Sequence, residues 1–179
     1  IDVLNYDINL DIDWSGAEIA GYTNLVIVSK IDNLDKISLD LLALTIDSIE
    51  IDGVLTTNYT YNDTLLNILP ATNLMIGDTV SVNVYYHGHP VEDGSGFGGF
   101  SFTGSYVYSI GVAFYDNPHN YGRVWYPCID DFVDRATYDF RITTDSGKVA
   151  VCNGHLVSEN YPGNGKVSYH WRMDDEIPT

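Results

Sequence analysis

The run Tyr6-Asp7-Ile8-Asn9-Leu10-Asp11-Ile12-Asp13-Trp14 alternates apolar and polar side chains without a break. A period of two puts Tyr6, Ile8, Leu10, Ile12 and Trp14 on one face of an extended strand and gives the Asp and Asn side chains to the other. On a helix the same five apolar groups would be spread around the axis, and none could form a core-facing stripe. Ser15-Gly16 then turns the chain, and residues 21–28 read as a second strand. Further strands are predicted at 37–41, 44–51, 65–69, 79–87, 105–114, 124–126, 137–143, 148–152 and 166–171, with Asp52-Gly53 as a hairpin-turn dipeptide. No stretch sustains the i, i+3, i+4, i+7 stripe of an amphipathic helix over three turns. The 20 Asp against 5 Glu, with 16 Gly and 14 Tyr, point the same way, because Asp favours turns and strand ends over helix interiors. Strands near every dozen residues describe an all-β protein, a sandwich or a large curled sheet with little or no helix. With no internal repeat or linker, one domain over 1–179 is expected.

Charge narrows the possible partners. The 25 acidic against 8 basic residues give a formal charge of −17. Such a surface repels phosphate backbones and anionic membranes, so neither nucleic acid nor a membrane is an expected partner. It attracts cationic ligands, among them peptide α-ammonium groups and Ca²⁺. No apolar run approaches the ~20 residues of a membrane-crossing helix. Cys128 and Cys152 are the only cysteines, which rules out a four-cysteine zinc site and a C-x-x-C redox pair. They are either two isolated thiols or a bridge, whose loop of about 25 residues would contribute roughly 3–4 kcal/mol in the chain-entropy account.

Several motifs match by letter and fail by context. Gly94-Ser95-Gly96-Phe97-Gly98-Gly99 fits G-x-G-x-x-G, but a dinucleotide site needs a helix next, and Phe100-Ser101-Phe102-Thr103 alternates like a strand. His87-Gly88-His89 sets two imidazoles at metal-ligand spacing with Glu92 or Asp93 near; with Pro90 following at once, an ordinary exposed loop is the favoured reading. There is no H-E-x-x-H and no G-x-S-x-G. Asp130, Asp131 and Asp134 suit paired acids or, more commonly, a turn that binds its own backbone. Asn58-Tyr59-Thr60 and Asn62-Asp63-Thr64 match the N-glycosylation pattern.

The block Gly122-Arg123-Val124-Trp125-Tyr126-Pro127-Cys128-Ile129-Asp130, with Arg135-Ala136 and the strand from Tyr138 to Ile142 after it, is more specific. It resembles the R-x-W-x-P-C-x-D signature of the aminopeptidase N-like zinc metallopeptidases, the gluzincins. Val149 to Gly154 matches that family's short strand and its S-N-G turn through Asn153 and Gly154. Tyr6 to Leu10, Gly21, Tyr86 to Pro90, Trp171 and Pro178 fall in the family's order along nearly the whole chain. Phe132 stands where the family has Pro, and Arg135 where it has Lys.

The resemblance implies a non-catalytic N-terminal domain, a saddle-shaped antiparallel β-sandwich. It would pack on its own C-terminal, thermolysin-like catalytic domain, which carries zinc, and form part of the wall of a cleft for peptide substrates. It also implies no catalytic residue, no metal and no cofactor within this chain. The family contacts the substrate amine with a Gln or Glu shortly before the block's Arg. Those positions fall on Asp116 and Pro118; Asp116 serves as a shorter acid, or Tyr115 and Asn117 take over after a one-residue gap. Arg123, Trp125, Pro127, Cys128 and Asp130 have a structural role in this reading, with Arg123 and Asp130 as an ion pair fixing a turn. The chain opens on Ile1 without a leader and stops just after a Trp-bearing strand, which leads us to expect a piece of a secreted or periplasmic enzyme. The alternative is a carbohydrate- or Ca²⁺-binding β-sandwich module of a secreted hydrolase, using Asp-rich loops and exposed Tyr and Trp.

Overall fold

The structure, a computed structural model, describes residues 1–117 and 119–179. In chain order the strands are β1 (Asp2–Asp13), β2 (Glu18–Val28), β3 (Ile37–Asp40), β4 (Thr45–Ile51), β5 (Val54–Thr56), β6 (Tyr59–Tyr61), β7 (Leu65–Ile68), β8 (Thr79–Gly88), β9 (Phe100–Thr103), β10 (Tyr106–Ser109), β11 (Arg135–Asp145), β12 (His155–Gly163) and β13 (Lys166–Pro178). The helical element among the described residues is a single 3₁₀ turn at Gly122–Val124.

The strands form an eight-stranded sheet of order β12-β13-β11-β1-β2-β8-β4-β5, a three-stranded sheet β3-β7-β6 and the hairpin β9-β10. The alternation in β1 does what its period requires: Tyr6, Ile8 and Leu10 are fully buried and Ile12 nearly so. Leu25 and Ile27 of β2, Val82, Val84 and Tyr86 of β8, and Tyr138 and Phe140 of β11 face the same way. Opposite them lie Ile37 and Leu39 of β3 and Leu66 and Ile68 of β7, in one continuous core. The all-β sandwich is as expected. Asp52-Gly53 closes the β4–β5 hairpin with φ of 51° and 76°, the positive pair that a two-residue turn needs.

Besides the unpredicted β5, β6 and β12, four details differ from the sequence reading. First, β1 runs parallel to β11, Asn5 pairing with Thr137 through Asp11 with Thr143, so the large sheet is mixed rather than purely antiparallel. A parallel pair needs a crossover, and residues 89–134 make the last leg of it, carrying the chain from β8 over β2 and β1 to β11. Second, residues 124–126 enter a 3₁₀ turn and a bend instead of a strand. Third, 148–152 is irregular, because its carbonyls are met by side chains of β13: Tyr169 donates to Lys148 O at 3.2 Å and Trp171 Nε1 to Ala150 O at 3.0 Å. Fourth, of the predicted strand at 105–114, Tyr106–Ser109 pairs with β9, and beyond it Val112 makes an isolated bridge to Asn120.

Gly154 ends the irregular stretch at φ +91°, where a Cβ would overlap the carbonyl oxygen of Arg172. Both cysteines are free thiols. Cys128 is fully buried and Cys152 mostly so, and burial pushes the Cys152 thiol up to about 12.

Candidate functional site

The crossover carries the signature block, and its anchor is a buried carboxylate. Asp130 Oδ2 accepts a 2.7 Å hydrogen bond from Arg123 Nη1, while Oδ1 accepts the Gly122 N–H at 3.0 Å. The Asp130 side chain is fully buried. Burial raises its carboxyl above the ordinary carboxylate range, and the nearby Arg123 charge pulls it back only in part. Arg123 Nη1 also donates to Asn120 O at 3.1 Å, and its guanidinium lies 4.9 Å from the centre of the Tyr121 ring. The Asp130 N–H is accepted by Asp40 at 3.1 Å, which links the block to the end of β3. Leu42 N–H donates to Arg123 O at 2.7 Å. The ion pair that fixes a turn is therefore present, and it is joined to the end of β3 and the residues that follow it.

Behind it, the aromatic residues of the block pack on the inner face of the large sheet. Trp125 meets Tyr126 edge-on at 4.6 Å and stacks along Phe140 at 6.3 Å, while Tyr126 meets Tyr6 at 5.7 Å. Tyr86 donates from its hydroxyl to Trp125 O at 2.9 Å, and Tyr6 accepts the Ile129 N–H at 3.1 Å. Pro127 and Cys128 are buried between these contacts. Two tyrosine hydroxyls of the sheet thus hold the backbone of the block.

The residues expected to meet substrate lie in front of Arg123. Tyr115 is 75% exposed, Asn117 is exposed and Asp116 is half-buried, its Oδ2 3.8 Å from Arg123 Nη2. Pro118 lies outside the described residues. Asp116 also acts on Tyr121: burial first, then a hydrogen bond to Asp116, pushes the Tyr121 hydroxyl up to about 12. Asp116 therefore shares its negative charge with an arginine and a phenol, yet keeps an open side.

Beside the block runs a groove of about 900 Å³. Its floor is Trp125, Phe140 and Ile142, and its rim includes Tyr106, Val149 and Val151, which are 73%, 73% and 72% exposed. Asn153 borders this groove, whereas Gly154 shapes the turn next to it.

The other motifs resolve without a site. Each ring Nδ1 of the His87/His89 pair has its own partner, Asp47 at 2.9 Å for His87 and Ala17 O for His89. His119 contacts Ala113 O and His170 contacts Asp139. Among the described residues, no three His, Cys, Asp or Glu side chains are placed to hold a metal ion. Asp131 caps the Val133 N–H at 3.1 Å as a turn residue, and Asp134 faces the Tyr6 hydroxyl and the Val3 N–H, so the acidic trio is not a catalytic pair.

Sequence reasoning missed Asn120, whose side chain is buried with Nδ2 unpaired, and the hydrogen bonds that Asp93 accepts from Ser95, Phe114 and Tyr115. The Asp-Gly-Ser-Gly run was the available signal for Asp93, since Asp two residues before Ser closes its own turn.

Fold and block together define an all-β domain organised around an arginine–aspartate pair whose carboxylate is fully buried. A family model for the Peptidase M1 N-terminal domain matches residues 3–179, and the chain belongs to that family. The M1 zinc metallopeptidase from Deinococcus radiodurans superposes with a TM-score of 0.87 at 23% identity, over 99% of this chain and 40% of its own. Legionella pneumophila aminopeptidase A, solved with aspartic acid, gives 0.80 at 18% identity, over 99% of this chain and 20% of its own. Transcription initiation factor TFIID subunit 2 of Gallus gallus is 32% identical over 83 residues, 46% of this chain and 6% of that protein. The chain thus spans well under half the length of the proteins it matches.

Proposed function

We propose that this chain is the N-terminal domain of a zinc-dependent aminopeptidase, a hydrolase that removes N-terminal amino acids from peptides, and that it contributes part of the cleft wall without a catalytic group of its own. The observation that carries this reading is the folded signature block: Arg123 and Asp130 fix the turn, and the segment 114–117 stands exposed in front of it. Asp116 offers a carboxylate to the α-ammonium group of a peptide, while Tyr115 and Asn117 flank it. The groove floored by Trp125 and Phe140 receives the C-terminal catalytic domain, since exposed Tyr106, Val149 and Val151 give it an apolar rim. Zinc would be held by that domain, where it would supply Lewis-acid chemistry for peptide hydrolysis. The histidines and carboxylates described above do not fit a zinc site, and the part assigned to this chain's own residues is to bind and orient the substrate amine. A secreted or periplasmic location accords with the −17 charge. Family membership does not favour a carbohydrate- or Ca²⁺-binding module.

The test is turnover of aminoacyl-anilide substrates. The 179-residue chain alone is expected to show none, and the full-length protein to show zinc-dependent activity. Asp116→Asn in the full-length protein is expected to raise KM by about tenfold or more, roughly what one charged hydrogen bond contributes. Turnover by the isolated chain, or an unchanged KM in that variant, would overturn the corresponding part of the reading.

A further inference from the structure

The glycine-rich motif that failed as a nucleotide loop has a different use. Residues 93–99 close into a compact loop between β8 and β9. The Asp93 N–H donates to Gly98 O at 3.2 Å, and the Ser95 hydroxyl accepts the N–H groups of Phe97 at 3.1 Å and Gly98 at 3.0 Å. That hydroxyl in turn donates to Asp93 Oδ1 at 2.5 Å, and the Ser95 N–H donates to the same oxygen at 2.8 Å. One side of the carboxylate is thereby held by its own loop. The other oxygen, Oδ2, accepts the N–H groups of Phe114 and, at 3.2 Å, Tyr115, more than twenty positions along the chain. A Cβ at Gly98 would collide with that same oxygen. Phe97 meets Phe114 edge-on at 6.2 Å, and the Gly99 N–H donates to Val112 O at 3.2 Å, so the two loops also touch on both sides of the carboxylate.

We propose that Asp93 is the positioning residue for the segment 114–117, presenting Tyr115, Asp116 and Asn117 to the substrate; this rests on the function proposed above. The segment lacks a ladder of its own. Val112 and Asn120 form one isolated bridge at its base, and the N–H groups of Phe114 and Tyr115 are given to a single carboxylate. Burial alone would raise the Asp93 carboxyl, but the hydrogen bonds from Ser95, Phe114 and Tyr115 outweigh it and hold the group well below the usual range. The carboxylate is therefore ionised, and an acceptor for both loops, at neutral pH. The site then has two fasteners with different jobs. Arg123 holds the segment from behind through Asp116, and Asp93 sets its backbone from the side.

Asp93→Asn in the full-length enzyme keeps the shape, and its one remaining carbonyl oxygen cannot serve both loops. Loss of the charge-assisted bonds to the segment is expected to raise KM for an aminoacyl-anilide roughly tenfold with kcat within about twofold. Amide exchange at Phe114 and Tyr115 should quicken by a similar factor, while amides of β1 and β2 stay protected. A merely structural defect would instead lower the active fraction, and hence apparent kcat, at constant KM. Ser95→Ala, which frees Oδ1, should shift exchange and KM in the same direction by less, and it serves if Asp93→Asn does not fold. Unchanged exchange at Phe114 and Tyr115 overturns the positioning role. Faster exchange with unchanged KM overturns it too if Asp116→Asn still raises KM. If Asp116→Asn leaves KM unchanged as well, the failure belongs to the proposed substrate contact and not to the hold of Asp93 on the loop.

Discussion

In the eight-stranded sheet, inward positions are occupied by Tyr6, Ile8, Leu10, Leu25, Val82 and Val84, all fully buried, and the backbone is satisfied by long ladders. In the crossover 89–134, β9–β10 supplies a ladder of four residue pairs, and carboxylates take over much of the rest. Asp93 serves Ser95, Phe114 and Tyr115; Asp130 serves Gly122 and Arg123; Asp40 serves Asp130; Asp131 serves Val133. An apolar stripe is non-directional and redundant, since each member covers part of the area its neighbours lose. A carboxylate node is directional, serves several donors at once and carries a proton equilibrium. The region that presents side chains outward is therefore the one most open to single substitutions and to pH.

The contrast can be broken most directly at Arg123. Arg123→Met should destabilise the folded chain by about 3–5 kcal/mol at neutral pH, because Asp130 is left buried without its cation. The loss should shrink in acid as Asp130 takes a proton, and urea melts at two pH values read both effects. Leu25→Ala in the sheet should cost about 2–4 kcal/mol from lost burial and the cavity left behind. Its cost should be the same at both pH values; a pH-dependent loss there would erase the distinction.

Tyr86→Phe tests the seam between the two regions. Its hydroxyl contacts Thr23 Oγ1 at 3.0 Å and donates to Trp125 O at 2.9 Å, so about 1–2 kcal/mol is expected. Faster amide exchange should appear in 122–130 and not in β8.

The smallest effect is one of sign. On the outer face, Asp139 is met by Arg172 at 2.9 Å and His170 at 2.5 Å; Arg141 can only donate to His170 Nδ1, so the Nε2–H of His170 donates to Asp139. Burial opposes ionisation of Asp139, but the hydrogen bonds from His170 and Arg172 prevail and lower its carboxyl. It contributes stability above the unfolded value of about 3.9, lost as pH falls through the folded value. Asp130 is raised, so it binds its proton more tightly folded than unfolded, and its contribution declines as pH rises from about 3.9 through its folded value. Carboxyl ¹³C titrations should place the two midpoints on opposite sides of the ordinary Asp value. Midpoints on the same side would show that both regions tolerate charge alike.

Legibility follows the same division. β1, β2, β8 and β11 could be read from alternation because each has one wet and one dry face. β12 was missed because, as an edge strand with nearly every residue exposed, it has no apolar period to read. Residues 148–152 alternate truly, Val149 and Val151 outward and Ala150 and Cys152 inward, but no neighbouring strand completes a ladder, so alternation overstated them. In the site, the Arg123–Asp130 pair was legible because eight positions hold both partners. Asp93 and the backbone it serves at 114–115 are too far apart in sequence for any local pattern to join them.

Chain chemistry alone settles the all-β class, the inward face of the central strands and the negative net charge, because period-two burial and net charge are properties of short windows and of composition. Three-dimensional packing was needed to make β1 and β11 parallel neighbours, to leave the two thiols free and to seat one carboxylate between two loops. Those outcomes depend on where distant segments meet once the crossover has been laid down, and contacts of that kind leave no trace in any single stretch of sequence.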